Sequence, residues 1–578
     1  MSLALQDNET LSPHKSQVSL LLHSAKSYYD YLDSHNLGLD EIRIVRVIFE
    51  NDILLLQLSR KLFSQEGLIL EFGEQSFELA SHCDMNFDQD RLVLEIFPNF
   101  TLLSALQHLF LNLTKKPHKK TSQSAIEQPS LKLFSDLKFL VKNVAEFIAK
   151  HGDSLCLPSR KPLELKEIPS YLNQYQKQAL QMVFEKPISY VWGPPGSGKT
   201  QVVLFESLLW YAKNGLRTCV LAPTNSALEQ IFSTLIENFK KHNFELNNLL
   251  RLGMPTQKFM RLYPECCDPN LLNKKNASSL FTQGISLKTR LKESLIIGLT
   301  LDGFIKRFDS LGVEFEHFFL DECAFAPLSK ACALCTQNVP ISFFGDHKQL
   351  MPICEMPPKD ITKQKEVNLW NLSALFIEEF LSDNPIALLD KTPTHTPNIS
   401  SISTLRYTHR YGDNLAKLLD SHIYHIGLQG QDRQIEIFCL DCGQKGEVDS
   451  MISINEVRAV ANLYTHLMRQ SKDKANFSVG IITPFVRQKK EIARALPSAE
   501  VSTIHGSQGR EWDSVIFSPV GLHYHLTDST QINALFGLNV AISRIKKQLF
   551  IVCDRSFWQS KPTQFLSKLL QQAQILHI

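Results

Sequence analysis

The sequence lacks the segments that would place this chain in a membrane or a secretory pathway. No stretch approaches the ~18 uninterrupted apolar residues that a membrane-spanning helix needs. The opening residues, MSLALQDNET, carry acids and no basic segment ahead of an apolar core, so they do not predict a signal peptide. We therefore expect a cytoplasmic protein with no membrane partner.

An excess of charge of one sign is also missing. The 578 residues contain 61 Lys and Arg against 59 Asp and Glu, for a formal net charge of +2. A strongly basic chain would predict nucleic-acid binding from composition alone, so any such interface must here come from local residues. A single hydrophobic core is excluded by length, because domains usually hold about 100–200 residues.

The twelve cysteines include two Cys-x-x-Cys pairs, Cys332 with Cys335 and Cys439 with Cys442. A zinc site would need both pairs, or one pair and histidines, to converge in space. The first pair falls in a predicted helix over 328–337, and the second ends an apolar run typical of a buried strand. We predict reduced cysteines in the core rather than a metal site.

The N-terminal part, residues 1–166, predicts a helix followed by a small β unit. Apolar residues recur at helical spacing from Lys15 to Ser34. Five short β-type runs lie between residues 42 and 97, with turn residues between several of them. This pattern predicts a small antiparallel barrel or meander.

A helical stalk is predicted after the β unit, at about residues 100–150. Helical spacing occurs over 102–113 and again over 131–150, and we expect these two helices to pack on each other. The stretch TKKPHKKTSQS between them is predicted to be a solvated linker, since a run of charge is more often surface than a binding site.

From residue 168 onward, strands and helices alternate as in an open parallel sheet. A stretch over 357–394, rich in Pro, Thr and charge, predicts a linker between two such units. The predicted fold class is α/β, with parallel-sheet domains over 167–356 and 395–578.

The strongest motif is a phosphate-binding loop at residues 193–200. An apolar strand leads into GPPGSGKT, and a helical pattern follows it. Glycines let the backbone N–H groups turn toward phosphates at a helix N-terminus. Lys199 would reach the β- and γ-phosphates, and the Thr200 hydroxyl would hold Mg²⁺. The predicted ATP-binding residues of this loop are Gly193, Pro194, Pro195, Gly196, Ser197, Gly198, Lys199 and Thr200.

A second apolar run, HFFLDE, ends in two acids. In a P-loop fold the first carboxylate, Asp321, binds Mg²⁺ from a neighbouring strand end, and Glu322 polarises the attacking water. The alternative, a pair of acids capping a helix, is common for an isolated Asp-Glu. A P-loop upstream at this distance favours the catalytic interpretation.

An ordered series of motifs spans roughly residues 168–556. It consists of LNQYQKQAL, GPPGSGKT, LAPTNSALEQ, LLRLG, IIGLT, LDECA, FFGDHKQLMP, LRYTHRYG, VGIITPF, TIHGSQGREWD and LNVAISR. This series resembles the superfamily 1 helicases of the up-frameshift and senataxin-like group. The resemblance implies two RecA-like P-loop domains that hydrolyse ATP with Mg²⁺ and act on single-stranded nucleic acid.

The resemblance also implies roles around the nucleotide. Gln176 would read the adenine edge, and Gln349 would sense the γ-phosphate. Arg410 and Arg544 would reach the γ-phosphate from the second domain, where an arginine finger is worth about 10³–10⁵ in rate. Gly509 and Glu511 would lie on the nucleotide side, with Glu511 near the ribose. The implied catalytic residues are Lys199, Asp321, Glu322, Gln349, Arg410 and Arg544.

The resemblance also implies that further motifs contact the nucleic-acid strand. The implied nucleic-acid contacts are Pro223, Thr224, Asn225 and Thr300 in the first domain and Thr483, Pro484, Thr503 and His505 in the second. Small hydroxyl residues and exposed N–H groups suit contacts to the backbone that do not depend on base sequence. Taken singly, each is more often an ordinary turn or cap residue.

The sequence departs from the family pattern at three places. His409-Arg410-Tyr411 replaces Tyr-Arg before Met-His, HGSQG replaces Asp-x-Phe-Gln-Gly, and Phe536-Gly537 replaces a basic pair. These departures affect the branch, and with it polarity and substrate, more than the ATP chemistry.

The sequence is compatible with three functions. The first is a monomeric ATP-dependent helicase or translocase, moving 5′-to-3′, with DNA slightly favoured over RNA. The second is an ATP-gated nucleic-acid clamp or nucleoprotein remodeller that separates no strands. The third is a P-loop switch that no polymer stimulates, and the motifs from LAPTN to LNVAISR argue against it. The N-terminal region, similar in layout to the nucleic-acid-contacting barrel and stalk of relatives, is also a candidate surface for a protein partner.

Overall fold

The computed structural model describes residues 13–577 apart from a set of short segments. The gaps are 61, 63–66, 74, 89–90, 115–129, 270–285, 383, 393–395, 398, 444–450, 471–476 and 523–531. The predicted basic linker falls almost wholly outside the described residues. No helix in the described part combines the length and the apolar character needed to cross a membrane.

The N-terminal region contains two four-stranded antiparallel sheets around one apolar core. Their strand orders are β1-β8-β4-β5 and β2-β3-β7-β6. The strands are β1 (Leu39–Ile42), β2 (Ile44–Glu50), β3 (Ile53–Leu58), β4 (Leu68–Phe72), β5 (Gln75–Glu78), β6 (Cys83–Asp88), β7 (Val93–Pro98) and β8 (Leu131–Asp136). The helices are α1 (Pro13–Ser34), α2 (Leu79–His82), α3 (Phe100–Thr114) and α4 (Lys138–His151). The antiparallel β unit and the helices over 15–34 and 102–113 are confirmed.

The predicted helix over 131–150 is wrong in its first third. Residues Leu131–Asp136 form strand β8, in which Leu133 pairs with Ile42 on one side and Leu70 on the other. The helix α4 that follows also packs elsewhere than predicted. Its apolar face joins the core that contains Leu21 of α1, whereas the buried residues of α3 belong to the β core.

The first α/β unit, lobe 1, is a seven-stranded parallel sheet of order β11-β12-β10-β13-β14-β9-β15. Its central strands β10 and β14 are continuous buried runs, as expected for a sheet covered on both faces. The strands are β9 (Ile188–Trp192), β10 (Thr218–Ala222), β11 (Leu249–Arg251), β12 (Ile296–Thr300), β13 (His317–Leu320), β14 (Ile341–Gly345) and β15 (Ile402–Thr404). The helices are α5 (Gln174–Glu185), α6 (Phe205–Lys213), α7 (Asn225–Lys241), α8 (Gln257–Leu262), α9 (Leu287–Glu293), α10 (Leu301–Leu311) and α11 (Leu328–Ala331).

The segment expected to be a linker, 357–394, is largely packed. It carries α12 (Pro358–Ile361), α13 (Ile377–Leu381) and 3-10 turns, and its side chains Leu369, Trp370 and Phe376 are buried. Hydrogen bonds join it to α1, including Ser24 Oγ to the Glu366 carbonyl at 2.7 Å. The boundary at 395 also differs, because β15 completes the sheet of lobe 1.

The second α/β unit, lobe 2, contains a six-stranded parallel sheet of order β20-β19-β21-β22-β18-β23 and a separate parallel pair, β16-β17. The strands are β16 (Tyr407–Gly412), β17 (Gln429–Gln431), β18 (Glu436–Asp441), β19 (Val479–Thr483), β20 (Glu500–Thr503), β21 (Trp512–Phe517), β22 (Ile545–Cys553) and β23 (Gln574–Ile575). The helices are α14 (Asp413–Leu419), α15 (Ile454–Gln470), α16 (Val486–Ala495), α17 (Ile532–Ile542), α18 (Arg555–Gln559) and α19 (Phe565–Gln572). The α/β fold with parallel sheets is therefore confirmed.

The Cys-x-x-Cys cysteines are placed in or beside the cores. Cys332 and Cys335 are fully buried in a 3-10 turn after α11, which replaces the second half of the predicted helix. Cys439 is fully buried on β18, and Cys442 just beyond it is partly exposed.

Candidate nucleotide site between two lobes

The phosphate-binding loop joins β9 to α6 at the carboxyl edge of the lobe 1 sheet. Gly196 and Gly198 adopt φ values of +77° and +91°, a left-handed conformation that L-residues with a side chain rarely take. The helix after the loop opens with a π-helical turn, Lys199–Leu204. The Lys199 ammonium donates hydrogen bonds to the Gly193 carbonyl at 2.5 Å and the Pro194 carbonyl at 3.2 Å. Burial lowers the pKa of Lys199.

Two oxygen-bearing side chains, those of Thr200 and Asp321, meet beside this loop. The Thr200 hydroxyl donates to Asp321 Oδ2 at 2.6 Å, so the residues predicted to hold Mg²⁺ are in contact. Asp321 is only 3% exposed, and burial, followed by repulsion from Glu322, raises its pKa to about 6. Glu322 itself has φ +53°, an unusual backbone conformation for a residue with a side chain, directly after the strand end. Hard oxygen ligands of this kind suit Mg²⁺.

Gln349 and Gln176 complete the lobe 1 side. Gln349 Nε2 donates to Asp346 Oδ2 at 2.8 Å in the loop after β14. Gln176 caps the start of α5 through a reciprocal pair of hydrogen bonds with Asn173. Its amide also lies against the phosphate-binding loop, because a Cβ added to Gly198 would lie 2.8 Å from Gln176 Nε2.

Lobe 2 reaches this site with both predicted arginines. A Cβ on Gly196 would lie 2.4 Å from the Cβ of Arg410, so only glycine fits where β16 crosses the loop. The His409 N–H also donates to the Gly196 carbonyl at 2.8 Å. Arg544 Nη2 donates to Gln349 Oε1 at 3.0 Å. The two lobes are therefore in contact across the predicted catalytic residues.

Glu511 pairs with two cations on lobe 2. Its carboxylate lies 3.0 Å from Arg410 Nε and 2.8 Å from Lys546 Nζ. Burial alone would raise the pKa of Glu511, but Arg410 and Lys546 lower it overall. This arrangement holds the Arg410 guanidinium against the lobe that carries it.

A cavity of about 320 Å³ lies between the lobes. The predicted residues that line it are Pro195, Gly196, Ser197, Gly198, Lys199, Thr200, Asp321, Glu322, Gln349, Arg410, Gly509, Glu511 and Arg544. Gly193 and Pro194, at the start of the loop, and Gln176, beside it, are not on the cavity wall. Sequence reasoning missed the lining residues Arg433, Lys546 and Lys547, although the basic pair stands two residues after Arg544 in SRIKK.

The lobe 1 residues predicted to contact nucleic acid sit at neighbouring strand ends. Ala222, just before Pro223, pairs with Thr300, so the loops after β10 and β12 are adjacent. The Thr224 hydroxyl accepts from the Ala227 N–H at the start of α7, and the Thr300 hydroxyl accepts from Gly303 at the start of α10. Each hydroxyl keeps its own proton for a donor role.

Asn225, the remaining lobe 1 candidate, is held from behind by a buried cation. Arg251 Nη2 donates to Asn225 Oδ1 at 3.1 Å. Arg251 Nη1 donates to the Gly253 carbonyl at 2.7 Å. Burial lowers the pKa of Arg251 to about 10, so it stays charged at neutral pH.

The corresponding lobe 2 residues also share one edge, since Thr483 pairs with Thr503 at the ends of β19 and β20. His505 is exposed there and Pro484 is partly exposed. Thr483, however, is fully buried, and its hydroxyl has no hydrogen-bond partner. The structure therefore buries this side chain, and the nucleic-acid contact expected of Thr483 stays a prediction.

The fold and the cavity define a class: a two-lobed P-loop protein with its candidate nucleotide site between the lobes. Two models of the AAA domain family match the chain, one over residues 171–281 and one over 399–556. The first match contains the phosphate-binding loop of lobe 1 and ends before Asp321, Glu322 and Gln349, and the second contains Arg410, Glu511 and Arg544 of lobe 2.

Known proteins of similar sequence include three that each match part of this chain. Mouse DNA-binding protein SMUBP-2 is 22% identical over 487 residues, covering 69% of this chain and 45% of that protein. ATP-dependent helicase upf1 of Schizosaccharomyces pombe is 24% identical, covering 68% and 46%. Human probable helicase senataxin is 24% identical over 294 residues, covering 46% and 10%. The chain thus spans about half the length of the first two relatives.

Solved structures of similar shape include an Arterivirus nonstructural protein 10 helicase, 14% identical with a TM-score of 0.37, covering 90% of this chain and 79% of that one. Another is the DEAD-box helicase Mss116 bound to ssRNA and UDP-BeF, 11% identical with a TM-score of 0.39, covering 76% and 78%. Both TM-scores are low, so the fold is defined by the strand orders of the two sheets and not by these structures. The domain matches and these relatives confirm the predicted resemblance to the superfamily 1 helicases of the up-frameshift and senataxin-like group.

Proposed function

We propose that this protein is an ATP-dependent helicase or translocase that moves along single-stranded nucleic acid. The observation that carries the proposal is the meeting of Lys199, Asp321 and Gln349 of lobe 1 with Arg410 and Arg544 of lobe 2 in one cavity. A nucleotide-dependent contact between two lobes is what a motor needs, because binding and release then move one lobe against the other.

The lobe 1 residues supply the hydrolytic chemistry. Lys199 neutralises the β- and γ-phosphates, replacing the carbonyl contacts that it makes with its own loop. Glu322 is placed beside Asp321 to orient and polarise the attacking water. Thr200 and Asp321 would hold Mg²⁺, which neutralises phosphate charge when bound. Protein oxygens in direct contact at this position support that assignment.

The lobe 2 arginines make hydrolysis depend on closure. Arg410 and Arg544 offset the charge that spreads over the transferring phosphoryl group, and they do so only when lobe 2 lies against lobe 1. Opening withdraws both cations and allows product to leave. The ATP cycle would in this way drive alternate opening and closing of the cleft.

The nucleic-acid grips are proposed at the strand ends that carry Thr224, Thr300 and Thr503. Hydroxyl and N–H groups there would bind the phosphate backbone without reading bases. Alternate tightening of the two lobes would move them along one strand. The family resemblance favours 5′-to-3′ movement and DNA slightly over RNA.

ATP turnover with oligo-dT, with oligo-U and with neither tests this function. We expect turnover to rise several-fold with at least one polymer, and duplex unwinding to accompany it. Turnover that rises without unwinding would favour a clamp or remodeller. Turnover that neither polymer changes would contradict the proposal.

A further inference from the structure

The carboxylate of Asp346 receives hydrogen bonds from both lobes. Its Oδ1 accepts from Trp192 Nε1 and from the Lys348 N–H, each at 3.0 Å. Its Oδ2 accepts from Gln349 Nε2 at 2.8 Å and from the Tyr424 hydroxyl at 2.7 Å. Tyr424 belongs to lobe 2, so one buried carboxylate, 3% exposed, joins the predicted γ-phosphate sensor to the opposite lobe.

A second lobe 2 side chain binds the same loop. Asn539 on α17 donates from Nδ2 to the Tyr424 hydroxyl at 2.7 Å and to the Lys348 carbonyl at 2.8 Å. Tyr424 is 2% exposed and Asn539 is fully buried, so water does not compete for these bonds. Burial, with the nearby Asp346 charge, raises the pKa of Tyr424, which therefore remains a hydrogen-bond donor.

These contacts fix both ends of the Gln349 amide. Its Nε2 is held by Asp346, and its Oε1 is held by Arg544. Tyr424 satisfies the second lone pair on the same Asp346 oxygen. Opening the cleft would remove the lobe 2 partners Tyr424, Asn539 and Arg544 together. Trp192 and the Lys348 N–H of lobe 1 would stay on Asp346. The loop after β14 thus has a held arrangement that only closure of the lobes provides.

We infer that Tyr424 and Asn539 are positioning residues that orient Gln349 when the lobes close and so link closure to ATP hydrolysis. The inference rests on the proposed function. Neither side chain lines the cavity, so both act through Asp346 and the loop rather than on the nucleotide. The coupling is physical: loss of one buried hydrogen bond to a charged group changes the population of the closed arrangement.

The test compares Tyr424→Phe with Tyr211→Phe. Both tyrosines are buried and each hydroxyl makes a hydrogen bond within the protein, but the Tyr211 hydroxyl contacts His317 inside lobe 1, away from the cleft. We expect similar melting temperatures for the two variants. Oligo-dT-stimulated kcat should fall about 10- to 100-fold in Tyr424→Phe alone, with the KM for ATP within about twofold of wild type.

Asn539→Ala and the double variant complete the design. Because both side chains act on one loop, the double variant should lose little more kcat than either single variant. Wild-type kcat in Tyr424→Phe, a raised KM with unchanged kcat, or additive losses in the double variant would overturn the inference. A wild-type protein that hydrolyses no ATP would instead contradict the proposed function, and that rate is measured first.

Discussion

At the residue scale, the nucleotide site joins side chains that are costly to bury until phosphate or metal is bound. Lys199 is turned onto carbonyls of its own loop, and Asp321 keeps its proton to a higher pH than usual. Buried ionisable groups of this kind are expected where a site is prepared for a charged ligand. Burial of these groups should therefore lower the folding stability of the protein when no ligand is bound.

Lys199→Ala is expected to lower ATP turnover by at least about 100-fold, because it removes the ammonium that residues 193–200 present to the β- and γ-phosphates. Lys213→Ala is the matched control, since that lysine is exposed at the end of α6 in the same lobe. Steady-state turnover with oligo-dT measures both. A Lys199→Ala enzyme within a few-fold of wild type would refute the site assignment.

Asp321→Asn should stabilise the protein free of metal and nucleotide. The folded pKa of about 6 lies above the usual 3.8, so this carboxyl contributes stability at low pH that is lost as pH rises through 6. Asparagine carries no such loss, and the gain should reach on the order of 2–3 kcal/mol above that pH. Thermal melts in chelator at about pH 5 and about pH 8 test this. A gain of equal size at both pH values would contradict the stated cause.

The sequence predicted which residues meet in one cavity where the signal is local. The P-loop and the Asp321–Glu322 pair each follow an apolar strand, and the sheet brings those strand ends to one edge. Tyr424 and Asn539 could not be predicted in this way, because their contacts exist only between closed lobes. Burial of Thr483 was also missed, since a motif gives no information on which way a strand-end side chain points.

At the element scale, the stalk is where pattern and structure diverge. Leu133 fits both a helical stripe with Leu137 and a strand, and the alternative is decided by its partners Ile42 and Leu70, far away in the sequence. Apolar spacing alone cannot resolve such a choice in a short run. The prediction of a helix holds for α4, whose apolar face packs on α1. The local sequence pattern does not specify that partner.

Leu21→Ala should destabilise the contact between α1 and α4. Leu21 is 2% exposed in the core shared with Val144 and Phe147, so truncation is expected to lower the free energy of unfolding by about 2–5 kcal/mol. Urea denaturation followed by circular dichroism measures the change. Leu262→Ala, at a side chain that is 54% exposed, should stay within about 0.5 kcal/mol of wild type. Equal losses in the two variants would argue against the packing described for α1.

At the scale of the whole molecule, two lobes with parallel sheets both line one cavity, and the chain between them packs on the N-terminal helix. Sequence anticipated the two units from the alternation of strands and helices. It placed the boundary too early, because β15 returns to the lobe 1 sheet before lobe 2 begins. The chain that links the lobes is therefore anchored at several points, and relative motion is expected at residues 405–406, between β15 and β16.

In the proposed function, the direction of movement depends on both lobes together. We expect unwinding of duplexes with a 5′ single-stranded tail and little unwinding of duplexes with a 3′ tail. A gel or fluorescence strand-separation assay with tails of equal length measures both. Activity confined to the 3′-tailed substrate would refute the predicted polarity while leaving the ATP chemistry intact.

The central claim is that one active site is completed by a residue from the opposite lobe, and Arg544 tests it most directly. Oligo-dT-stimulated kcat of Arg544→Ala should fall by about 10³-fold or more, whereas Arg494→Ala, at an exposed arginine of lobe 2, should match wild type. Melting temperatures confirm that both variants fold. An Arg544→Ala enzyme with wild-type kcat would contradict the account.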